Sequence, residues 1–165
     1  MIKAYLALGS NLGDRLATLR EARRRLAETD EISLAASSAL YETRPVGGPP
    51  GQPAYLNAVL EIDTSLSVED LLRLAQQIEA SCGRLRQERW GARTLDIDIL
   101  FYGELVCRTP GLEVPHPRLH QRRFVLLPLA DLAPLLVHPR QNRRVSELLA
   151  SLPDEGGESL LARTW

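Results

Sequence analysis

The chain has 165 residues, 44% of them hydrophobic and 25% charged, enough for one soluble globular domain with a real core. Its formal net charge of −1 excludes the basic excess of a general nucleic-acid binder, and no apolar run approaches membrane-spanning length. Lys3 is the one lysine among 20 basic residues, so the lysine motifs of P-loop proteins and protein kinases are both missing, and phosphate chemistry would fall to arginine and metal.

Ile2–Leu8 reads as a buried strand ending in GSNLGD (Gly9–Asp14), where Asn11 or Asp14 can cap the next helix. Gly9–Asn11 fits either a tight strand-to-helix turn or a strand end whose backbone faces a ligand. Leu16, Leu19, Ala22 and Leu26 recur at helical spacing, with Arg20, Arg23, Arg24 and Glu28 outside. Leu34, Ala36, Ser38 and Leu40 alternate, which predicts a second strand running on to Tyr41–Thr43. The Pro/Gly stretch RPVGGPPGQP (Arg44–Pro53) is long for a plain hairpin connection, and such loops are favoured places for binding.

Tyr55–Ile62 alternates again, with Leu56, Ala58, Leu60 and Ile62 on one face and Tyr55 and Asn57 on the other. An aromatic plate beside an amide can hold a flat heterocycle by stacking and paired hydrogen bonds. Ser67–Asp70 starts a helix in the manner of a capping box. Leu71, Leu74, Ile78 and Cys82 form its core stripe; Leu72, Gln76 and Glu79 form a neighbouring one, and Gly83 ends it.

Arg84, Arg86, Arg89 and Arg93 then crowd around Trp90 and Gly91, just before the strand LDIDILFY. Strand alternation points Leu95, Ile97, Ile99 and Phe101 one way and Asp96 and Asp98 the other, with the aspartate Cα atoms roughly 7 Å apart. Adjacent carboxylates repel unless a cation sits with them, and two divalent metals about 4 Å apart could bridge this pair. Arginine forks match phosphate oxygens, and several on one loop suit a polyphosphate. A plain ion-pair network between loop and strand would use the same residue types.

A short ribbon around Leu105–Val106 and Leu112–Val114 leads into VPHPRLHQRRF (Val114–Phe124). There His116 is either a ligand-facing group or a turn histidine packed against Pro115 and Pro117. Leu126–Leu132 and Val145–Leu152 read as helices, with Pro128 tolerable in a first turn or at a kink. From Pro153 the tail is polar and carries no legible function. Cys82 and Cys107 suit buried small hydrophobes in a reducing cytoplasm, and the N-terminus lacks a signal-peptide pattern. The order strand, helix, two strands, helix, strand predicts an α+β, ferredoxin-like antiparallel sheet (a βαββαβ core) with helices packed on one face and additional C-terminal helices. Residues 1–165 are expected to form a single domain, with Tyr55, Asn57, Asp96 and Asp98 on the open, ligand-binding face.

Taken together, ALGSNLGDR, SxxYET-x-PVG, QPAYLNAVLEI, GRLRQERWGARTLDIDILFYG and VPHPRLHQRRFVLLPLADLAP closely resemble the 6-hydroxymethyl-7,8-dihydropterin pyrophosphokinase family of folate biosynthesis, collinearly from Ala4 to about Pro134. The resemblance implies transfer of the β,γ-pyrophosphoryl group of ATP to a pterin hydroxymethyl oxygen, with release of AMP and use of two magnesium ions. It implies that Asp96 and Asp98 hold both metals and act in catalysis with Arg84 and Arg93. Thr43, Val46, Tyr55 and Asn57 match pterin-pocket positions, Phe124 and Tyr55 would sandwich the ring, and Trp90 belongs to a loop expected to close over it. Arg84, Arg86, Arg93, His116 and Arg122 match positions that contact ATP phosphates or ribose, while Leu72, Gln76, Ile99 and Leu112 match the adenine-side wall.

Departures from the family pattern fall in the pterin-side loop, at Arg44 and Gly48–Gln52. The expected protein is a cytoplasmic monomer acting on ATP and the pterin, with no nucleic-acid or membrane partner. Two rivals differ in class. A nucleotidyltransferase would place its Gly-Ser turn close before the acidic pair, whereas Gly9-Ser10 lies far upstream of Asp96. An RNA-binding ferredoxin-like module would need paired sheet aromatics and a basic excess.

Overall fold

A computed structural model describes residues 1–44, 50–82 and 94–165. Strand β1 (Ile2–Ser10) begins the chain, and α1 (Arg15–Ala27) follows, capped by Asp14, whose side chain accepts the Ala17 amide at 3.1 Å. Asn11, the other candidate cap, does something else. It is 1% exposed, and its Nδ2 donates to Gln52 Oε1 at 3.2 Å and Pro53 O at 3.3 Å. The end of β1 is thereby tied to the segment leading into a later strand.

The strand predicted from Leu34 to Thr43 is two strands, β2 (Ile32–Ser37) and β3 (Leu40–Thr43). Both pair with the same side of β4 (Tyr55–Thr64). Ser38 makes the break. Its amide donates to Val59 O at 2.8 Å, and its hydroxyl accepts the Val59 amide at 2.8 Å, so a side chain replaces one rung of the ladder. Helix α2 (Val68–Ser81) starts as expected, with Ser67 Oγ accepting the Asp70 amide at 3.1 Å.

Strand β5 (Asp96–Tyr102) pairs antiparallel with β1, which also pairs with β4. A hairpin of β6 (Cys107–Thr109) and β7 (Leu112–Val114) follows, its first strand slightly later than predicted and its second where predicted. Then come a 3-10 turn at Leu119–Gln121, α3 (Arg123–Leu132), a two-residue ribbon of β8 (Val137–His138) and β9 (Arg143–Arg144), and α4 (Val145–Ala150). Pro128 lies in the second turn of α3, buried against the core. The polar tail also forms a strand, β10 (Glu158–Ala162), on the free edge of β3. The sheet order is β10-β3-β4-β1-β5 with β2 beside β4, the antiparallel α+β arrangement that the element order implied.

The core has two parts, one on each face. Ala4, Leu6, Leu8, Leu56, Leu60 and Ile62 pack against Leu19, Leu26, Leu71 and Ile78 of α1 and α2. Each such leucine stabilises the fold by about 1.5–3 kcal/mol. On the opposite face, Tyr5, Val59, Leu100 and Phe101 pack under Leu126, Leu129, Val145 and Leu148 of α3 and α4.

Phe101 departs from the predicted alternation. The β1–β5 register runs Tyr5 to Phe101 and then Leu6 to Ile99, so Leu100 is an extra residue. That bulge turns Phe101 away from Ile97 and Ile99 and onto the face where α3 and α4 lie. The C-terminal helices thus cover one end of the face that bears Tyr55, Asn57, Asp96 and Asp98. The other end remains accessible.

Candidate active site

Strand register lays the polar residues of this face in rows. Tyr41, Asn57, Gly9 and Asp96 are successive neighbours across β3, β4, β1 and β5. Beside that row, Ala7 pairs with Asp98 and Thr43 pairs with Tyr55. Asn57 Nδ2 donates to Thr43 Oγ1 at 2.5 Å, and Thr43 is 3% exposed, so one amide hydrogen is spent on holding the side chain in place.

Of these, Ala7, Gly9, Thr43, Tyr55, Asn57, Asp96 and Asp98 floor a cleft of about 690 Å³. Arg122 and Phe124, at the start of α3, form one wall with Arg118 and Gln121. Leu152, Pro153, Glu155 and Glu158 form another. Sequence reading missed that second wall, because the tail has neither periodicity nor a recognisable motif. Tertiary contacts hold it: Arg44 N donates to Gly157 O at 3.0 Å, and Arg123 reaches Asp154 at 3.5 Å and Glu158 at 3.7 Å.

The negative charge of Asp98 acts on two basic side chains, His116 and Arg122. Burial holds the His116 imidazole below its ordinary pKa of 6.5; Asp98 opposes this, while Arg122 and Arg118 reinforce it. Burial likewise lowers the pKa of Arg122, again against the pull of Asp98. The Arg122 guanidinium lies 5.7 Å from the Phe124 ring centroid. His116 Nδ1 accepts the Arg118 amide at 3.2 Å, so the neutral ring carries its proton on Nε2. The turn that presents it follows a cis Val114–Pro115 peptide, and the His116 amide donates to Leu100 O at 3.1 Å.

Asp96 and Asp98 share a face as predicted, and among the described residues no cluster of three or more His, Cys, Asp or Glu side chains is arranged to hold a metal ion. Between them the chain is held from behind: Glu79 of α2, 6% exposed, accepts the Ile97 amide at 2.9 Å. The residues matched to the adenine wall lie elsewhere. Ile99 belongs to the α1/α2 side of the sheet, where Leu72 and Leu112 pack against the same core, and Gln76 is exposed on α2. Helix α2 and strand β7 both contact β5, the edge strand, so this group borders the carboxylate strand rather than the cleft floor. Val46, Arg84, Arg86, Trp90 and Arg93, and with them the expected closing loop, lie outside the described residues.

Comparison with known proteins identifies the family. The family model for 7,8-dihydro-6-hydroxymethylpterin-pyrophosphokinase (HPPK) matches residues 5–134. The 2-amino-4-hydroxy-6-hydroxymethyldihydropteridine pyrophosphokinase of Pseudomonas aeruginosa is 46% identical over 158 residues, covering 96% of each chain. The Haemophilus influenzae protein of the same name is 42% identical over 93% of this chain and 95% of its own. Among solved structures, a crystal structure of HPPK-DHPS in complex with substrates matches 97% of this chain with a TM-score of 0.77 at 14% identity. Plasmodium falciparum HPPK-DHPS with pterin and p-hydroxybenzoate matches 96% with a TM-score of 0.74 at 16% identity. This chain spans 46% of each of those two longer chains, and at such identities the likeness is one of fold. The family match over most of the chain, and relatives above 40% identity along nearly its whole length, make this protein a member of the HPPK family.

Proposed function

We propose that the cleft over β3, β4, β1 and β5 is where this HPPK family member joins its two substrates. The reaction moves the β,γ-pyrophosphoryl group of ATP to the hydroxymethyl oxygen of 6-hydroxymethyl-7,8-dihydropterin and leaves AMP. One observation carries the assignment to this cleft: Thr43, Tyr55, Asn57 and Phe124 line it together with Asp96, Asp98 and Arg122.

In this reading Tyr55 and Phe124 flank the pterin ring, and Asn57, held by Thr43, reads its polar edge. Val46 and Trp90 are assigned to the same ligand by the family positions that they match. Asp96 and Asp98 offer hard oxygen donors on one strand face, a donor set that suits Mg²⁺, and would hold two ions with the phosphates of ATP. When bound, the metal supplies positive charge against the charge that develops on the transferred group.

The chain's own part is to position and to neutralise. Arg84, Arg86, Arg93 and Arg122 provide guanidinium forks for the phosphate oxygens, and the Nε2–H of His116 donates to one of them. Leu72, Gln76, Ile99 and Leu112 border the adenine at the β5 edge. The pterin sandwich aims its hydroxyl in line with the transferred phosphorus. The same reading takes the protein as a cytoplasmic monomer and residues 1–165 as one catalytic domain, the latter supported by a single sheet that includes strands from Ile2 to Ala162.

The test is incubation with ATP, Mg²⁺ and the pterin alcohol, with nucleotide products separated by chromatography. AMP without free pyrophosphate, together with a diphosphorylated pterin, is expected. Release of pyrophosphate would indicate nucleotidyl transfer, and no turnover would indicate a binding module.

A further inference from the structure

Gly9 occupies the central strand of the cleft floor, paired with Asn57 on one side and Asp96 on the other. Nothing in its backbone asks for glycine. It is in regular antiparallel pairing and is not among the described glycines with positive φ, which are Gly13, Gly51, Gly103, Gly111 and Gly156. A glycine inside a strand forgoes side-chain packing, so it marks a place where something else comes close. Here the space above it is already claimed. A Cβ built on Gly9 would lie 2.9 Å from Asn57 Oδ1, closer than real Cβ atoms come, and 3.7 Å from Tyr55 Cδ1.

Asn57 has little room to yield. Its amide is held on the far side by the 2.5 Å bond from Nδ2 to Thr43 Oγ1, and Thr43 is itself buried. A methyl group at position 9 would push Oδ1 away and pull Nδ2 off the threonine. The bare backbone matters in a second way. Asn57 and Asp96 are separated by two interstrand spacings, about 9.5 Å, with Gly9 between them. A bicyclic ring bound at Asn57 must pass over Gly9 for its hydroxymethyl arm to reach the carboxylate end of the row.

We propose that Gly9 is a positioning residue for the pterin, acting through Asn57: its missing side chain leaves the amide seated on Thr43 and keeps the floor low between ring and carboxylates. This rests on the reading of Asn57 as a pterin contact. The ligand class it serves is a flat bicyclic heterocycle with a short hydroxyl-bearing arm.

The experiment is calorimetric binding of 6-hydroxymethylpterin, and separately of a non-hydrolysable ATP analogue with Mg²⁺. It uses the natural chain, Gly9→Ala, Asn57→Ala and the double variant. Gly9→Ala is expected to weaken pterin binding about tenfold, the scale of one disrupted polar contact, and to leave the nucleotide within about twofold. In the Asn57→Ala background there is no Oδ1 to strike, so the further loss from Gly9→Ala should shrink below about threefold. Unchanged pterin affinity in Gly9→Ala, with a loss in Asn57→Ala, would overturn the role of Gly9 and leave the pterin-site reading standing. The same fold-loss in both backgrounds would overturn the action through Asn57, and an equal loss of both ligands would overturn the proposal by showing damage to the strand. Normal pterin binding by Asn57→Ala would remove the pterin-site reading and the proposal together.

Discussion

Asn57 and Thr43 are joined across β4 and β3 by a 2.5 Å hydrogen bond from Nδ2 to Oγ1, on the face that lines the cleft. The bond fixes which way the amide points before any ligand arrives. Asn57→Ala should therefore weaken pterin binding by about 1–3 kcal/mol, the cost of leaving polar partners unmet. Thr43→Val keeps the shape but frees the amide to rotate, and should give a smaller loss of the same sign. An ATP analogue should bind both variants normally, as read by calorimetry. Matching losses for the two ligands would point to misfolding.

Asp98 is exposed and Asp96 half-buried, so neither carboxylate is needed to fill the core. Asp96→Ala or Asp98→Ala should abolish Mg²⁺-dependent AMP formation while the thermal midpoint stays within a few degrees of the natural chain. Near-normal turnover in either variant would sink the two-metal reading.

The pair was legible in the sequence because strand alternation is local: LDIDIL needs no partner to declare two faces. Phe101 was misread because the bulge at Leu100 depends on how β5 registers against β1, which no local pattern encodes. The same holds for Ser38, which breaks the strand through its bonds to Val59, 21 positions away. Asp14 and Ser67 were readable as caps, since a cap bonds within three residues. The floor of the cleft, with Tyr55, Asn57 and the aspartates, was therefore visible early. Its tail-derived wall was not, because β10 gains its strand only by pairing with β3.

That tail is anchored by Trp165. Its Nε1 donates to Ser38 O at 2.8 Å, the Arg23 guanidinium lies 4.0 Å from its ring centroid, and Arg23 also donates to the Trp165 carbonyl. Trp165→Phe keeps most of the apolar surface but loses the indole bond and weakens the cation–π contact. It should cost about 1–2 kcal/mol in urea unfolding. An unchanged midpoint would show that β10 is held without it.

Glu79 supports the strand that carries Asp96 and Asp98 from the other face of the sheet, through the Ile97 amide at 2.9 Å. Glu79→Ala would strand that buried N–H, at about 1–3 kcal/mol, and loosen the backbone between the two carboxylates. Turnover should fall more than pterin affinity does, whereas Glu79→Gln, which keeps an acceptor, should retain more of both. Turnover and affinity equal to those of the natural chain in Glu79→Ala would remove this role.

His138 should make the fold acid-sensitive. It is 2% exposed, its ring stands edge-on to Phe101 with 5.6 Å between centroids, and Nδ1 accepts the amides of Arg140 and Gln141 at 3.1 and 3.2 Å. Burial, and then the charges of His120 and Arg140, bring its pKa from an ordinary 6.5 down to about 4. Between those two values the unfolded chain takes up a proton that the folded chain refuses, so acidification favours unfolding. Stability should be flat with respect to this group above about pH 7 and fall between roughly pH 6.5 and 4, by about 3 kcal/mol in total. His116, also lowered by burial, adds a slope of the same sign, so the decisive quantity is a difference between variants. His138→Asn keeps an acceptor for the two amides but does not titrate. Urea unfolding across pH 4–7 should therefore show a shallower acid slope for His138→Asn than for the natural chain. Identical slopes would mean that the proton is taken up elsewhere.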